Sequence, residues 1–198
     1  MKKTIIISLV LVFALVYFFY PEKVITYPPG ITAPNQPKQN NLTNSKDWKV
    51  GEFTIQALAE YDIKARVLSR NNFTLGEESN LSPFDLALGW GPMSDQSIID
   101  KIDISQSNRW YHWQADILTI PAREISLNSA NVHIIPKDEL IEAKFDNVYR
   151  GSLIEMKGYL VKVTKTDGWR WISSLKRDDT GGGSCELLWV DEINVLDK

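Results

Sequence analysis

The distribution of hydrophobic residues divides this chain into an apolar start, a polar stretch and a long region of alternating patterns. The start is a run of 17 uncharged, mostly apolar residues, Thr4 to Tyr20, preceded by two lysines. A helix of this length rises about 25 Å, which nearly spans a bilayer core. Bulky aromatic residues end the run, in place of the small residues of a signal-peptidase site. The pattern predicts an uncleaved transmembrane signal-anchor in residues 1–20, with its N-terminus in the cytoplasm.

Residues 21–47 are polar and rich in proline. Five of the nine prolines of the chain lie there, among asparagine and glutamine and with few large apolar residues. Such a composition buries too little apolar surface to offset the entropy of ordering, so we expect an extended, semi-rigid tether. Residues 48–198 then form one globular domain of ordinary size on the outer side of the membrane.

Alternation of apolar and polar residues predicts strands at both ends of that domain. The predicted strands are residues 53–68, 110–113, 151–163, 169–174 and 185–195. Within the first of them, residues 57–61 also fit a helical turn. Gly158 marks a bulge or a tight curve, and Asp167-Gly168 is typical of a hairpin turn.

Capping signals predict short helices between those strands. The helices are expected to begin at Ser82-Pro83, at Ser94 or Asp95, and at residues 136–138. Serine suits the N-cap, and proline suits the first helical position because its missing N–H has no partner there. The sequence therefore predicts an α+β fold class. It consists of an N-terminal transmembrane helix, then one globular domain with a curled antiparallel sheet and two or three short helices. An OB-like partial barrel is the nearest named architecture.

The balance of charges excludes one class of partner. The chain has 22 basic and 25 acidic residues and a net charge of −3 at pH 7. Four lysines and one glutamate precede Lys46, which leaves 18 basic and 24 acidic residues after them. Binding to nucleic acid depends on neutralising phosphates, and binding to anionic lipid on basic clusters, so we expect neither of this acidic domain.

Cysteine and histidine are too few for a metal site built on sequence motifs. Cys185 is the single cysteine, so no internal disulfide can form. A buried thiol is its simplest interpretation, and pairing with another chain is the alternative. The two histidines, His112 and His133, lack the spacing of metal ligands. No metal and no cofactor are expected.

Several polar residues are candidates for catalysis if the fold brings them together. His133 is the candidate general acid or base, with Glu186 or Asp95 to orient it and Arg177 to clamp a charged or carbonyl group. The candidate nucleophiles are Ser94 and the lone cysteine, the latter with the histidine as its base. The sequence contains neither a P-loop nor a G-x-S-x-G elbow.

Residues 88–95, LGWGPMSD, predict a binding loop. Their glycines permit close approach of the backbone, and their tryptophan offers a flat stacking face. The same octet also fits a connector that breaks a helix and places its tryptophan in the core. The predicted binding residues are Trp90, Gly91, Ser94, Trp110, His112 and Arg177.

Three segments resemble a family of uncharacterised bacterial single-pass envelope proteins. They are LSPFDLALGWGPMSD at residues 81–95, SANVHIIP at residues 129–136, and GYLVKV at residues 158–163 together with GWRWISSLKRDDTGGGSCELLWV at residues 168–190. The resemblance covers about residues 59–190. It implies a bacterial envelope setting and a single domain, and it transfers no activity and no catalytic residue.

These observations favour a membrane-tethered extracytoplasmic binding or assembly module of the bacterial envelope. We expect it in the inner membrane, with the domain in the periplasm. The expected partners are the membrane, through residues 4–20, and an envelope protein or a small ligand, with no nucleic acid. An enzyme is the less favoured interpretation. The alternatives are a small envelope hydrolase or transferase that uses His133 with Glu186 or Asp95 and Arg177, and a structural subunit of an inner-membrane complex.

Overall fold

A computed structural model of the chain describes residues 23–176, 181 and 183–196. The strands are β1 (Lys38–Asn41), β2 (Asp47–Val50), β3 (Phe53–Asn72), β4 (Phe84–Gly89), β5 (Asp103–Ser107), β6 (Trp110–Gln114), β7 (Ser129–Pro136), β8 (Leu153–Thr164), β9 (Arg170–Ile172) and β10 (Glu186–Val195). The α-helices are α1 (Glu77–Leu81), α2 (Gln96–Ile99), α3 (Ala122–Leu127) and α4 (Glu139–Lys144). Two 3-10 helices span Gly91–Ser94 and Phe145–Asn147.

Five of the strands close into a barrel. β3 is 20 residues long, and its first part pairs with β8 while its last part pairs with β4. The pairs β4–β7, β7–β10 and β10–β8 complete the ring, and of these only β7–β10 is parallel. Numbered in chain order, the barrel strands follow one another as 1-2-3-5-4 around the ring. β1 and β2 extend the sheet along β3, and β9 extends it along β8.

The alternation of β4 and β7 separates the barrel core from the outer face. Leu86 of β4 and Val132 and Ile134 of β7 lie in the core cluster. Because successive side chains of a strand point to opposite faces, Asp85 and His133 lie on the outer face, in register with each other. The candidate site is built on these two residues.

Gly158 permits an unusually close approach of β8 and β10. A Cβ atom at this position would lie 1.8 Å from the carbonyl oxygen of Trp189. The register of the two strands shifts between Val190 and Glu192, directly beyond this contact. The irregularity predicted at Gly158 is confirmed, and any larger residue would force the two strands apart.

The predicted fold class is wrong. The structure is mostly β-sheet, with 48% strand and 17% helix, and it is not α+β. The helix expected to begin at Ser82-Pro83 is strand β4, whose residues are buried on both faces. Pairing with strands on either side overrides the local capping signal there. The partial barrel was also an incorrect expectation, since the ring of five strands is complete.

The transmembrane and signal-anchor interpretation is corrected as well. Residues 4–20, which were expected to cross the membrane, lie outside the described residues. In the part of the chain that the structure describes, no helix is both long and apolar enough to span a membrane. The longest α-helices there have six residues and rise about 9 Å, whereas a spanning helix needs about 20 residues.

One predicted helix cap, one predicted helix start and one predicted turn are confirmed. The Asp95 carboxylate accepts a hydrogen bond from the Ser97 N–H at 2.9 Å, and α2 follows it. Asp138 caps α4 in the same way. The turn at Asp167-Gly168 joins β8 to β9. Local hydrogen bonds of this kind can be read from sequence because both partners lie within three residues of each other.

The described part of the proline-rich segment, residues 23–47, is extended and lies along the domain. The Thr32 and Ala33 N–H groups donate to Ser94 Oγ at 3.2 and 3.0 Å. Further on, β1 pairs with residues 59–62 of β3. The extended backbone that the prolines favour thus finds its hydrogen-bond partners on the barrel.

Candidate functional site

The hairpin of β5 and β6 holds Arg109 over the outer face of the barrel. Ser107 pairs with Trp110, so the connecting turn has two residues. Both of them, Asn108 and Arg109, have positive φ angles, 50° and 63°, as a type I′ turn requires. The left-handed conformation costs an arginine on the order of 1 kcal/mol, because its Cβ crowds the backbone. The contacts of its side chain therefore have to hold it there.

Arg109 is held by two carboxylates, of which that of Glu78 lies 3.9 Å from its Nε, and by one carbonyl group and two aromatic rings. Its Nη1 donates to Asp85 Oδ1 at 2.8 Å, and its Nη2 donates to the Ser82 carbonyl oxygen at 3.0 Å. The guanidinium carbon lies 4.0 Å from the centroid of the Phe73 ring and 5.2 Å from that of Trp171. An arginine enclosed in this way is a fixed positive charge on the barrel surface.

Asp85 links this arginine to His133. The carboxylate is completely buried, and its second oxygen, Oδ2, lies 2.9 Å from His133 Nδ1. Neither of these two atoms has a hydrogen-bond partner elsewhere among the described residues. The imidazole is 4% exposed, and its ring lies 4.7 Å from that of Trp171. Since the carboxylate fixes one ring nitrogen, the other nitrogen, Nε2, is left for a ligand or a proton.

A cleft begins at His133 and continues past Cys185. Its first part is a cavity of about 250 Å³, lined among others by His133, Arg109, Trp171 and Cys185. Its second part is a cavity of about 190 Å³, and Trp110 and Cys185 line both parts. The two cavities therefore adjoin. We call them together the barrel cleft.

The second part of the barrel cleft is polar at its base. Asn131 and Glu186 line it, together with Lys176 and the aromatic side chains of Tyr111 and Trp113. Burial raises the pKa of Tyr111 to about 12, so its hydroxyl group stays neutral and donates to Ser129. The cleft thus offers aromatic faces, a carboxylate and an ammonium group within one continuous surface.

Cys185 is placed by the start of β10. The parallel pairing of Glu186 with Val132 sets the cysteine beside Asn131 of β7. The Asn131 side-chain amide donates towards the Cys185 sulfur at 3.7 Å. The thiol is half-buried, and it lies where the two cavities meet.

The structure brings together only some of the predicted catalytic residues. His133 and Glu186 both line the barrel cleft. Asp95 lies elsewhere, where hydrogen bonds from the Gly30 and Ser97 N–H groups and the Ser97 hydroxyl lower the pKa of its carboxyl group. Arg177 lies outside the described residues.

The predicted binding residues are also divided. Trp110 lines both parts of the cleft and is 42% exposed. Trp90 is buried in the barrel core, so it is not available for stacking on a ligand. Gly91 has a positive φ, and a Cβ there would lie 2.6 Å from the Asn128 side-chain oxygen.

Ser94 and His112 have local partners away from the cleft. The Ser94 hydroxyl is buried, donates to the Gly91 carbonyl oxygen and accepts from the N-terminal segment. The His112 side chain is exposed on β6, with Nε2 3.2 Å from the Ser107 hydroxyl. These hydrogen bonds account for the positions of both side chains without a ligand.

Sequence reasoning missed three residues of the site, namely Asp85, Arg109 and Trp171. One signal could have identified Asp85, because it is the single charged residue in an otherwise apolar strand, Phe84–Gly89. A second signal is the arginine that follows asparagine between two alternating segments, in a position where glycine is usual. The contact between the two side chains depends on tertiary structure and has no sequence signal.

No family model, curated protein or solved structure matches the chain. The resemblance to bacterial envelope proteins stays a prediction. Within the described residues, no group of three or more histidine, cysteine or acidic side chains is arranged to hold a metal ion.

Proposed function

We propose that the protein is a binding module that holds an extended peptide segment of a partner protein in the barrel cleft. The observation that carries this proposal is a continuous cleft with exposed apolar side chains beside the edge of the sheet. Together its two parts, of about 250 and 190 Å³, fall at the lower end of the range of ordinary ligand pockets, which enclose about 300–1,000 Å³.

The exposed apolar side chains of the cleft favour a ligand that has side chains of its own. Trp110 is 42% exposed and Ile172 is 43% exposed, and both line the cleft. Large apolar groups clustered on a concave surface favour a partner that covers them. Tryptophan is effective in this role because it buries a large area and loses little conformational freedom.

The edge of the sheet at β9 favours a ligand with an extended backbone. β9 pairs with β8 and with no other strand of the described chain. Two of its three residues, Trp171 and Ile172, line the cleft. Unpaired backbone groups of an edge strand can accept an added strand, which is a common mode of peptide recognition.

The charges of the cleft favour a peptide over a nucleic acid. Glu78 and Glu186 line it together with Lys176 and Arg109, so both signs are present. Arg109 is already paired with Asp85, and it is not free to neutralise a phosphate. A peptide can present both charges and neutral amide groups to such a mixed surface.

The position of the cleft in the fold agrees with this proposal. It lies over β7 and beside β4, the third and second strands of the barrel, between the β3–β4 and β8–β10 connections. OB barrels bind their ligands on this face. The analogy supports the location only, since one fold carries many functions.

Selection of binders from a random peptide library displayed on phage, with the full-length protein as bait, tests the proposal. We expect selected peptides to bind about fivefold more weakly to the Ile172→Ala variant, because one apolar contact of about 1 kcal/mol is lost. Leu140→Ala is the matched control, since Leu140 is exposed on α4 and does not line the cleft. Peptides that bind both variants equally, or a library without enriched sequences, would contradict the proposal.

A further inference from the structure

We infer that the barrel cleft is also an acyl-transfer site, in which Cys185 is the nucleophile and His133 its general base. The substrate class is the peptide amide, presented by the segment that the cleft binds. The inference therefore rests on the proposed function for its substrate, while its chemistry rests on the residues of the cleft. Asp85 is a positioning residue, because it acts through the histidine.

His133 has the surroundings of a catalytic base. Its imidazole is more than nine-tenths buried and lines the first part of the cleft. Nδ1 lies against the Asp85 carboxylate, and Nε2 has no hydrogen bond to any residue that the structure describes. An imidazole that is oriented by a carboxylate and shares a cavity with a thiol is the arrangement by which cysteine and serine nucleophiles are activated.

Cys185 lines the same part of the cleft as this imidazole. The parallel pairing of β7 and β10 places the cysteine beside Asn131, which is two residues before His133 on the same face of β7. The amide of Asn131 contacts the sulfur at 3.7 Å and limits the positions that the thiol can take. The base thus lies on β7, and the nucleophile directly precedes β10, the strand that pairs with β7.

Arg109 pairs with the Asp85 carboxylate at 2.8 Å and holds it in place. The carboxylate in turn orients the imidazole through Nδ1, so that Nε2 can take the thiol proton. The charged groups around the pair are Glu78 of α1, which lines this part of the cleft, and Glu186 and Lys176, which line the second part.

The reaction proceeds in two balanced steps. The Cys185 thiol gives its proton to His133 Nε2, and the thiolate attacks the amide carbonyl carbon, so that a C–S bond forms. The C–N bond then breaks, and the leaving amine takes the proton from the imidazolium, which leaves an acyl-thioester on the protein. Water, or the amine of a second peptide, attacks the thioester and restores the thiol, with His133 again transferring the proton.

The reactivity of the single cysteine tests the inference without knowledge of the peptide. Iodoacetamide is added to the full-length protein, and the rate of alkylation is followed by mass spectrometry across the pH range. We expect Cys185 to react at least about tenfold faster at pH ~6.5 than the same residue in urea-unfolded protein, because a paired histidine generates the thiolate. His133→Asn should remove this advantage, and His112→Asn is the matched control that should retain it.

A folded protein whose cysteine reacts no faster than unfolded protein would overturn the inference, and this measurement needs no variant. The acylation step is tested with p-nitrophenyl acetate, which should leave one acetyl group on Cys185 and none on the Cys185→Ser variant. Absence of that acetyl group would contradict the inference. Peptide selection with Cys185→Ser as bait separates the two claims. If peptides bind but the thiol is not activated, the acyl-transfer inference fails and the binding module stands. If the thiol is activated but no peptide binds, the proposed peptide ligand is refuted.

Discussion

Two aromatic clusters lie on the outside of the barrel, and they differ in what covers them. In the first, Trp48 stacks on Trp189 at 5.0 Å between ring centroids, and Tyr159 packs beside it. Strand β2 carries Trp48 and closes this cluster, so that Trp189 is 4% exposed. In the second cluster, the barrel cleft, no described residue lies over Trp110 and Ile172.

The two clusters also differ in their polar groups. The closed cluster has polar contacts from single hydrogen bonds: Lys46 Nζ donates to the Tyr159 hydroxyl at 2.6 Å, and Trp189 Nε1 donates to Asp191 at 3.1 Å. The open cluster surrounds a buried ion pair of Asp85 and Arg109, with His133 beside it. Burying charges is costly, and folding alone does not require it on the face of a barrel. The comparison teaches that tryptophan content alone cannot separate a core from a site, whereas exposure combined with buried charge can.

Removal of a tryptophan from each cluster should have opposite consequences, and it is the largest effect expected. Trp189→Ala should lower the free energy of unfolding by about 4 kcal/mol, because a buried stacked ring leaves a cavity. Trp110→Ala should change it by less than about 1 kcal/mol and should weaken peptide binding instead. Urea denaturation measures the first quantity. Equal loss of stability in both variants would show that the cleft is an ordinary part of the core.

The buried ion pair gives the next largest effect. Asp85→Asn should lower the free energy of unfolding by about 3 kcal/mol, because the Arg109 charge is left buried without its partner. The control is Glu192→Gln, which removes the exposed ion pair with Lys157 and should change stability by less than about 1 kcal/mol. If the two variants unfold at the same urea concentration, the ion pair does not hold the hairpin against the barrel.

The smallest effect concerns the N-terminal segment, through Asp95. The Gly30 N–H and the Ser97 groups lower the pKa of this carboxyl group in the folded state. A lowered pKa stabilises the folded state above the unfolded value near 4, and the stabilisation is lost as the pH falls through the folded pKa. Acid should therefore increase amide exchange at Gly30 before it affects the cleft. The Asp95→Asn variant should lose this pH dependence of exchange at Gly30. If the variant keeps the same pH dependence as the unsubstituted protein, this role of the carboxylate is refuted.

The sequence predicted those parts of the fold whose signals are local. Alternating residues identify β6, β8, β10 and much of β3, and the caps at Asp95 and Asp138 identify α2 and α4. Strand β4 was predicted as a helix, because a run that is apolar except for Asp85 and follows Ser-Pro fits a buried helix as well as a strand buried on both faces. Only pairing with β3 and β7 decides between them.

The candidate site was less predictable for the same physical reason. The residues Phe73, Asp85, Arg109, His133, Trp171 and Cys185 come from six separate segments of the chain. Strand register and the turn at Arg109 bring them together, and neither can be read from local composition. His133 and Cys185 could be singled out as rare reactive residues, but the carboxylate that orients the histidine is Asp85 and not Glu186 or Asp95.

Hydrogen–deuterium exchange of the full-length protein, with and without a selected peptide, tests the central claim most directly. If an extended peptide binds in the barrel cleft, the backbone amides of Arg170–Ile172 and the neighbourhood of Trp110 become protected, and those of Asp47–Val50 over the closed cluster do not change. Protection confined to β2, or spread evenly over the domain, would contradict the account.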